Sequence, residues 1–286
     1  MEYLETQRWR EILAHNGLDG FEDVWALARD WVERPNTRHG GFGAVARCDL
    51  ALPGGGRGAF FVKLHRNRLR RTATRPWRGT PALKRELDNH RRCNAAGVLS
   101  STPVYCASRR VAGEQRGILV TEALSGYRSL ADLLATWRAP GGPSAGERRR
   151  VIEAVAAQLS ALHAAWLVAR SYTPEHVFVR LPRAAPEAGT PERIGAVEVR
   201  LIDLERIKRA PLRRWARVRD LVTLQIATPS LRRTDRLRFL EAYLGDVRLT
   251  PPARRLWRRV AAASEAKQRR RQEARRPRAQ PASNGR

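Results

Sequence analysis

The sequence predicts an α+β fold with two unlike lobes, a small antiparallel-sheet lobe followed by a mainly helical lobe. Two observations support this fold class. Short apolar strand patterns dominate the first third of the chain, whereas helical periodicity dominates the remainder and is interrupted by one strand pair. Strands grouped in one part of a chain and helices in the other are typical of α+β proteins and argue against a repeated strand–helix sheet.

Composition predicts a globular cytoplasmic protein. Hydrophobic residues make up 42% of the 286 residues, enough to bury a core at this length. No apolar run approaches the roughly 18–20 residues of a membrane-spanning helix, and the first residues lack the pattern of a secretory signal. The three cysteines, Cys48, Cys93 and Cys106, have no metal-ligand spacing and are typical of free thiols in a reducing compartment.

The charge of the chain indicates a class of partner. Lys and Arg number 55 against 28 Asp and Glu, which gives a net charge of +27. Such a charge favours association with polyanions: nucleic acid, anionic lipid headgroups or a phosphorylated glycolipid. Neither zinc-finger spacing nor an RNA-recognition strand nor a clear helix-turn-helix accompanies it, so a nucleic-acid-binding protein is the least favoured reading.

The chain divides into four predicted segments. Residues 1–34 form an amphipathic helical extension, residues 35–122 the sheet lobe and residues 123–263 the helical lobe. The last segment, 264–286, is rich in Arg, Gln, Pro and Ala without apolar periodicity. This composition predicts a disordered basic tail.

The sheet lobe begins with a Gly-rich turn, Gly40-Gly41-Phe42-Gly43, between two predicted strands. Glycines let backbone N–H groups approach a phosphate closely. The turn is neither a GxxxxGK[ST] loop nor a dinucleotide fingerprint. By itself it is more typical of a plain β-hairpin turn.

The next strand, Ala59–Leu64, is apolar and carries Lys63; the basic segment 66–80 that follows is expected to be a loop. A lysine on an apolar strand is costly to bury unless an acid or a phosphate pairs with it. The helix expected from Pro81 carries Glu86, which could supply that partner. A lysine whose head group reaches water at a sheet edge is the open alternative.

The helical lobe contains one strand pair whose second strand ends in an acid. The remaining predicted elements are strands at 98–105 and 117–122, a helix starting at Leu130, a helix over 145–167, strands at 176–181 and 197–204, and helices near 212–226 and 234–244. A carboxylate such as Asp203, at the end of an apolar strand, can coordinate Mg²⁺ that bridges phosphate oxygens. An Asp that only begins a turn is the alternative.

The order of these features is more informative than any one of them. A Gly-rich turn, a strand Lys, a helix Glu, a long helix and a strand pair ending in Asp203 follow the layout of protein kinases. In those enzymes the Lys–Glu pair holds the nucleotide phosphates. The sequence therefore predicts a protein kinase-like fold that uses ATP and Mg²⁺.

Two runs carry a more specific resemblance. Tyr172–Val179 and Val199–Arg206 resemble the lipopolysaccharide kinase family, the Kdo/WaaP-like group, and its InaA branch in particular. The similarity covers about residues 35–245. It implies an ATP- and Mg²⁺-dependent kinase that phosphorylates a sugar hydroxyl of the lipopolysaccharide core. The substrate would be an anionic glycolipid, and the protein would lie in the cytoplasm with peripheral contact to the anionic inner-membrane surface.

The resemblance also implies residue roles in nucleotide binding. The glycines Gly40, Gly41 and Gly43 would cover the triphosphate, and Lys63, paired with Glu86, would contact its phosphates.

Further roles concern the metal and the loops around it. Asp203 would hold Mg²⁺, and His176 falls where protein kinases place a metal-binding Asn and where this family has His. Glu122 and its backbone would form the hinge against adenine. Asp220 would anchor the catalytic loop from a following helix, and His163 would have a structural role at a helix end.

One position departs from the pattern of active kinases. They present His-x-Asp in the catalytic loop, whereas Ser171 stands at the Asp position here. A serine hydroxyl is no base near neutral pH without an activating neighbour; Glu175 or His176 could substitute. Three hypotheses therefore stay open: a lipopolysaccharide core kinase, a pseudokinase that acts as an interaction or regulatory module, and a basic nucleic-acid-binding protein.

Overall fold

The computed structural model describes residues 1–32, 35–37, 41–72, 75–181, 196–210, 213–245 and 250–275. The fold is α+β with two lobes, and the prediction of the fold class is confirmed. The strands of the sheet lobe are β1 (Glu2–Glu5), β2 (Asp30–Trp31), β3 (Phe42–Ala51), β4 (Arg57–Arg66), β5 (Leu69–Thr72), β6 (Arg75–Pro81), β7 (Pro103–Val111) and β8 (Glu114–Glu122). Its helices are α1 (Gln7–His15), α2 (Gly20–Ala26) and α3 (Ala82–Ala95).

The second lobe is mainly helical. Its helices are α4 (Leu130–Ala135), α5 (Ala145–Ala164), α6 (Arg213–Ala227), α7 (Arg233–Leu244) and α8 (Pro251–Arg275). Its short strands are β9 (Arg128–Ser129), β10 (Leu167–Val168), β11 (Val177–Arg180), β12 (Glu198–Leu201) and β13 (Lys208–Arg209). Single 3₁₀ turns cover Pro174–His176 and Leu204–Arg206.

Six strands of the first lobe form one antiparallel sheet in the order β1-β7-β8-β4-β3-β2. Alternate residues of a strand face opposite sides of a sheet. One side packs on α1 and α2 around Trp9 and Phe60, both almost fully buried. The other side carries Lys63 and faces α3, because Glu86 of that helix bonds the lysine.

The segment predicted as a separate helical extension is part of this lobe. It contains α1 and α2, but β1 and β2 are strands of the same sheet, and Trp9 and Phe21 lie in its core. These strands are too short for their alternation to show in the sequence. The segment 1–32 therefore belongs structurally to the sheet lobe.

Helix α5 forms the centre of the second lobe. A capping box closes its first turn, in which Ser144 accepts from the Glu147 backbone and the Glu147 carboxylate accepts from the Ser144 backbone. Its apolar face is buried, with Leu159 and Leu162 fully inaccessible. Helices α4, α6, α7 and α8 and strands β11 and β12 also contribute to this core.

Two further segments differ from the sequence-based expectation. The basic segment expected to be a loop contains the hairpin β5–β6, and α8 continues to Arg275, past the point at which a disordered tail was expected. Arg, Gln, Ala and Glu have high helix propensity, so this helix needs no strong apolar pattern. The remaining tail residues 276–286 and the Pro-rich loop 182–195 lie outside the described residues. None of the described helices is long and apolar enough to cross a bilayer.

Candidate active site

The two lobes meet at an ion triad. The Lys63 ammonium lies 2.8 Å from a carboxylate oxygen of Glu86 and 2.7 Å from one of Asp203. Burial of the ammonium opposes its charge, but the two carboxylates raise the pKa of Lys63 above its ordinary value. The lysine is therefore a fixed cation in the cleft and not a snorkelling edge residue.

Local structure explains how each member of the triad is positioned. Lys63 lies on the central strand β4, and Glu86 is 3% exposed among the buried apolar residues of α3. Asp203 follows β12 in a left-handed conformation, with φ of 53°. Buried Asn89 of α3 donates to the carbonyl oxygens of Leu204, at 2.8 Å, and of Ile207, at 3.1 Å, and so ties this turn to the helix.

Two carboxylates share a single ammonium in this triad. Burial, followed by the nearby Asp203 charge, raises the pKa of Glu86 to about 7, although Lys63 lowers it. His65, two residues beyond Lys63, is almost fully buried, and burial and the Lys63 charge lower its pKa to about 3. His65 is thus neutral at physiological pH and adds no charge to the cleft.

His176 lies beside Asp203 in a geometry that suits a shared cation. Its Nδ1 is 3.1 Å from the Ser171 carbonyl and 3.1 Å from the Thr173 hydroxyl, so Nε2 is the ring nitrogen that faces Asp203. That Nε2 is 3.9 Å from Asp203 Oδ2. Two ligands of one Mg²⁺ ion lie at most about 4 Å apart. The donor set of His176 and Asp203 therefore fits a divalent cation.

A third carboxylate was missed from the sequence. Oxygens of Glu86, Asp203 and Glu205 all lie within 4.8 Å of one another. The Glu205 carboxylate forms an ion pair with Arg70 of the β5–β6 hairpin, whose Nη2 lies 2.8 Å from Oε1. The only sequence signal was its position two residues after Asp203.

Asp220 organises the loop at which kinases place their base. It accepts hydrogen bonds from the backbone N–H groups of Ala169, at 2.8 Å, and Arg170, at 2.9 Å. The His163 imidazole lies between Asp220 Oδ2, at 3.2 Å, and the Tyr243 hydroxyl, at 2.8 Å. Both Asp220 and His163 are buried, so they are positioned to support the loop and not to contact a substrate.

Ser171 follows that loop without an activating group. Its hydroxyl donates to the Ala169 carbonyl at 3.4 Å. Among the described residues, no carboxylate or imidazole nitrogen lies within hydrogen-bonding distance of it. Glu175 is exposed, and its hydrogen bond with Thr173 lowers its pKa. A carboxylate with a lowered pKa is a weak base, which makes Glu175 a poor substitute.

The remaining predicted residues lie at the rim of the cleft. Glu122 ends β8, where the chain passes towards the helical lobe, but its carboxylate pairs with Arg8 of α1 at 2.9 Å. Gly41 and Gly43 flank the start of β3 and are buried. Gly40 lies outside the described residues.

A two-lobed fold whose sheet-lobe lysine is held by a helix glutamate and a strand-end aspartate defines the protein kinase-like class. Comparison with known sequences makes the assignment more specific. The model of the lipopolysaccharide kinase (Kdo/WaaP) family matches residues 22–243, and the chain belongs to this family. Membership supports a kinase function related to lipopolysaccharide.

Two relatives agree with this assignment. The chain is 29% identical to Protein InaA of Escherichia coli (strain K12) over 191 residues, which are 67% of this chain and 80% of that protein. It is also similar to the solved structure of WaaP in complex with acyl carrier protein, with a TM-score of 0.63 and 25% identity. That match covers 94% of this chain and 98% of the WaaP chain.

Proposed function

We propose that this protein transfers the γ-phosphoryl group of ATP to a sugar hydroxyl of the lipopolysaccharide core. The observation that carries the proposal is the triad in which Lys63 lies between Glu86 and Asp203. Phosphoryl transfer depends mainly on positioning and charge stabilisation. A lysine fixed between two carboxylates, one from each lobe, supplies a cation of defined position for the phosphates.

The neighbouring residues fit the other requirements of the reaction. Asp203 and His176 would hold Mg²⁺, which when bound neutralises phosphate charge. Glu86 orients the Lys63 ammonium, and Asn89 keeps the turn after Asp203 against α3. The backbone after Glu122 would face the adenine ring.

Ser171 determines how the acceptor hydroxyl loses its proton. Without a general base, the proton leaves to solvent or to the transferred phosphoryl group as the new O–P bond forms and the bond to ADP breaks. Because the transition state is loose, this loss slows transfer but does not abolish it. The same residue favours the second candidate function, a pseudokinase that binds nucleotide without transfer.

The charge of the chain fits an acceptor at an anionic surface. Each Lys or Arg near an anionic bilayer contributes about 1 kcal/mol, and the chain carries a net +27. Trp77 of β6 is 89% exposed, which is unusual for a large aromatic side chain. We propose peripheral contact with the cytoplasmic face of the inner membrane.

The complex formed by the WaaP neighbour suggests a further partner, acyl carrier protein. An apolar cavity lined by residues of α4 to α8, among them Leu134, Leu224 and Trp257, lies in the helical lobe and could take an acyl chain. Leu224→Trp would fill it, whereas Leu237→Trp, at an exposed site, would not. We expect acylated carrier protein to co-elute with the parent chain and Leu237→Trp but not with Leu224→Trp; equal co-elution of both variants would contradict the proposal.

Transfer of labelled phosphate tests the proposed function. The parent chain, incubated with γ-labelled ATP, Mg²⁺ and purified lipopolysaccharide, should label the core, and Asp203→Asn should not. Arg149→Gln, which removes an exposed charge of α5, serves as the matched control and should retain activity. ATP binding without labelling would favour the pseudokinase. Sequence-selective RNA binding without ATP binding would favour the nucleic-acid hypothesis.

A further inference from the structure

Strand pairing places the Gly-rich turn on the same face of the sheet as Lys63. Gly43 is directly opposite His65, and Val45 is directly opposite Lys63. Side chains of opposite residues in an antiparallel pair share a face. A side chain at position 43 would therefore point into the cleft that holds the ion triad.

The space in front of Gly43 is filled by an arginine. A Cβ atom on Gly43 would lie 2.7 Å from Cζ and 2.8 Å from Nη1 of Arg68, and a Cβ on Gly41 would lie 2.8 Å from Arg68 Cγ. Neither glycine has a positive φ. Gly41 and Gly43 therefore leave room for the Arg68 side chain; they are not needed for a backbone conformation that only glycine adopts.

A hydrogen bond holds the guanidinium in place next to Gly43. Arg68 Nη2 donates to the Asn36 carbonyl at 3.1 Å. Asn36 and Gly43 in turn exchange backbone hydrogen bonds of 2.7 and 2.9 Å. The guanidinium therefore lies beside the backbone bridge that Asn36 forms with Gly43.

No acid neutralises Arg68 in the part of the chain that the structure describes. Arg70, by contrast, pairs with Glu205, and Arg66 lies 3.5 Å from Glu114. A guanidinium presents five N–H donors in a planar fork that matches phosphate oxygens. One of these donors is used by Asn36.

Resting on the proposed ATP-dependent function, we propose that Arg68 binds the nucleotide phosphates. It is a second cation on the face of the sheet that carries Lys63, placed against Gly41 and Gly43. In this arrangement Gly41 and Gly43 leave room for the arginine that contacts the phosphates.

Calorimetry with ATP and Mg²⁺ tests the role of Arg68. Charge-assisted hydrogen bonds contribute about 1.5–3 kcal/mol, so Arg68→Ala should weaken ATP binding by roughly 10- to 100-fold. Adenosine, followed by ligand-observed NMR, should bind equally to parent and variant. Arg66→Ala is the matched control, because Arg66 stacks on Phe42, 4.7 Å from its centroid, on the opposite face. It should bind ATP as the parent does.

Each outcome separates this inference from the function on which it rests. A parent chain that binds no ATP would overturn the proposed function itself. If the parent binds ATP and Arg68→Ala binds it as well or more tightly, with an unchanged melting temperature, the role of Arg68 is wrong. Equal losses in the Arg66 and Arg68 variants would also overturn it, since general charge would then explain both.

A double variant extends the test to the glycine. Gly43→Ala should displace the guanidinium and weaken ATP binding, so adding it to Arg68→Ala should cost little more. A non-additive pair of this kind indicates that two residues act through one contact. If the double variant loses ATP affinity by the product of the two single losses, Gly43 and Arg68 do not act through the same contact.

Discussion

Lys63 and Asp203 are 140 positions apart in the chain, yet their ammonium and carboxylate groups lie 2.7 Å from each other. The contact joins the central strand of the sheet lobe to the turn after β12 of the helical lobe. Glu86 completes the triad from α3. The position of one lobe relative to the other is therefore coupled to the site that we assign to the nucleotide.

Removing the cation of the triad should destabilise the fold. Lys63→Ala leaves two carboxylates facing each other, and loss of one partner from a buried pair costs up to about 3–5 kcal/mol. We expect a smaller loss of stability than this, because the Asp203 side chain is 36% exposed and water screens its charge. Urea denaturation measures the loss, and Lys63→Met combined with Glu86→Gln should recover part of the stability without restoring ATP binding. A Lys63→Ala chain as stable as the parent would mean that the triad does not form.

The stability contributed by Glu86 should depend on pH. Its pKa is raised to about 7 in the folded chain from an ordinary 4.5, so proton binding favours the folded state. This contribution is complete below about pH 4.5 and is lost as the pH rises through about 7. Between pH 5 and pH 8 the parent should therefore lose more thermal stability than Glu86→Gln does. Glu153→Gln, at a partly exposed site of α5, should follow the parent. Parallel curves for parent and Glu86→Gln would contradict the prediction.

His176 should influence the choice of metal. Imidazole nitrogen is a better ligand for transition metals such as Mn²⁺ than for Mg²⁺, which prefers oxygen. His176→Asn should therefore lower ATP affinity measured with Mn²⁺ more than affinity measured with Mg²⁺, whereas His15→Asn, at an exposed site, should change neither. An unchanged ratio of the two affinities in His176→Asn would exclude His176 as a metal ligand.

Ser171 should limit the rate of transfer. A positioned general base contributes about 10²–10⁴-fold, so Ser171→Asp should raise the turnover of labelled phosphate by roughly 100-fold while ATP affinity stays within about twofold. Ser171→Asn, which has a similar shape but no basic group, is the control. Equal turnover in the two variants would show that the missing base is not what limits transfer.

Lys63 and Asp203 could be predicted from the sequence because each is a charged residue within or at the end of an apolar strand, and Glu86 because it follows Lys63 in the order of kinase-like features. Asn89, Glu205 and Arg68 could not, since polar residues in polar surroundings gain significance only through contacts distant in sequence.

The missed secondary structure has similar causes. The sequence of the β5–β6 hairpin shows no clear apolar alternation, and its apolar residues Leu69 and Trp77 are exposed. Helix α8 is specified by propensity and by a few buried residues such as Val260 and Ser264, which are too sparse to form a clear pattern.

Calorimetric titration of ATP with Mg²⁺ into the parent chain, Lys63→Ala and Asp203→Asn tests the central claim most directly, because the claim is that the triad binds the triphosphate. Binding by the parent should fall by at least about 10-fold in both variants, the lower limit for losing a charged hydrogen bond. Adenosine affinity should be retained, and Arg149→Gln should bind ATP as the parent does. If ATP binds the two triad variants as tightly as it binds the parent, the triad is not the nucleotide site.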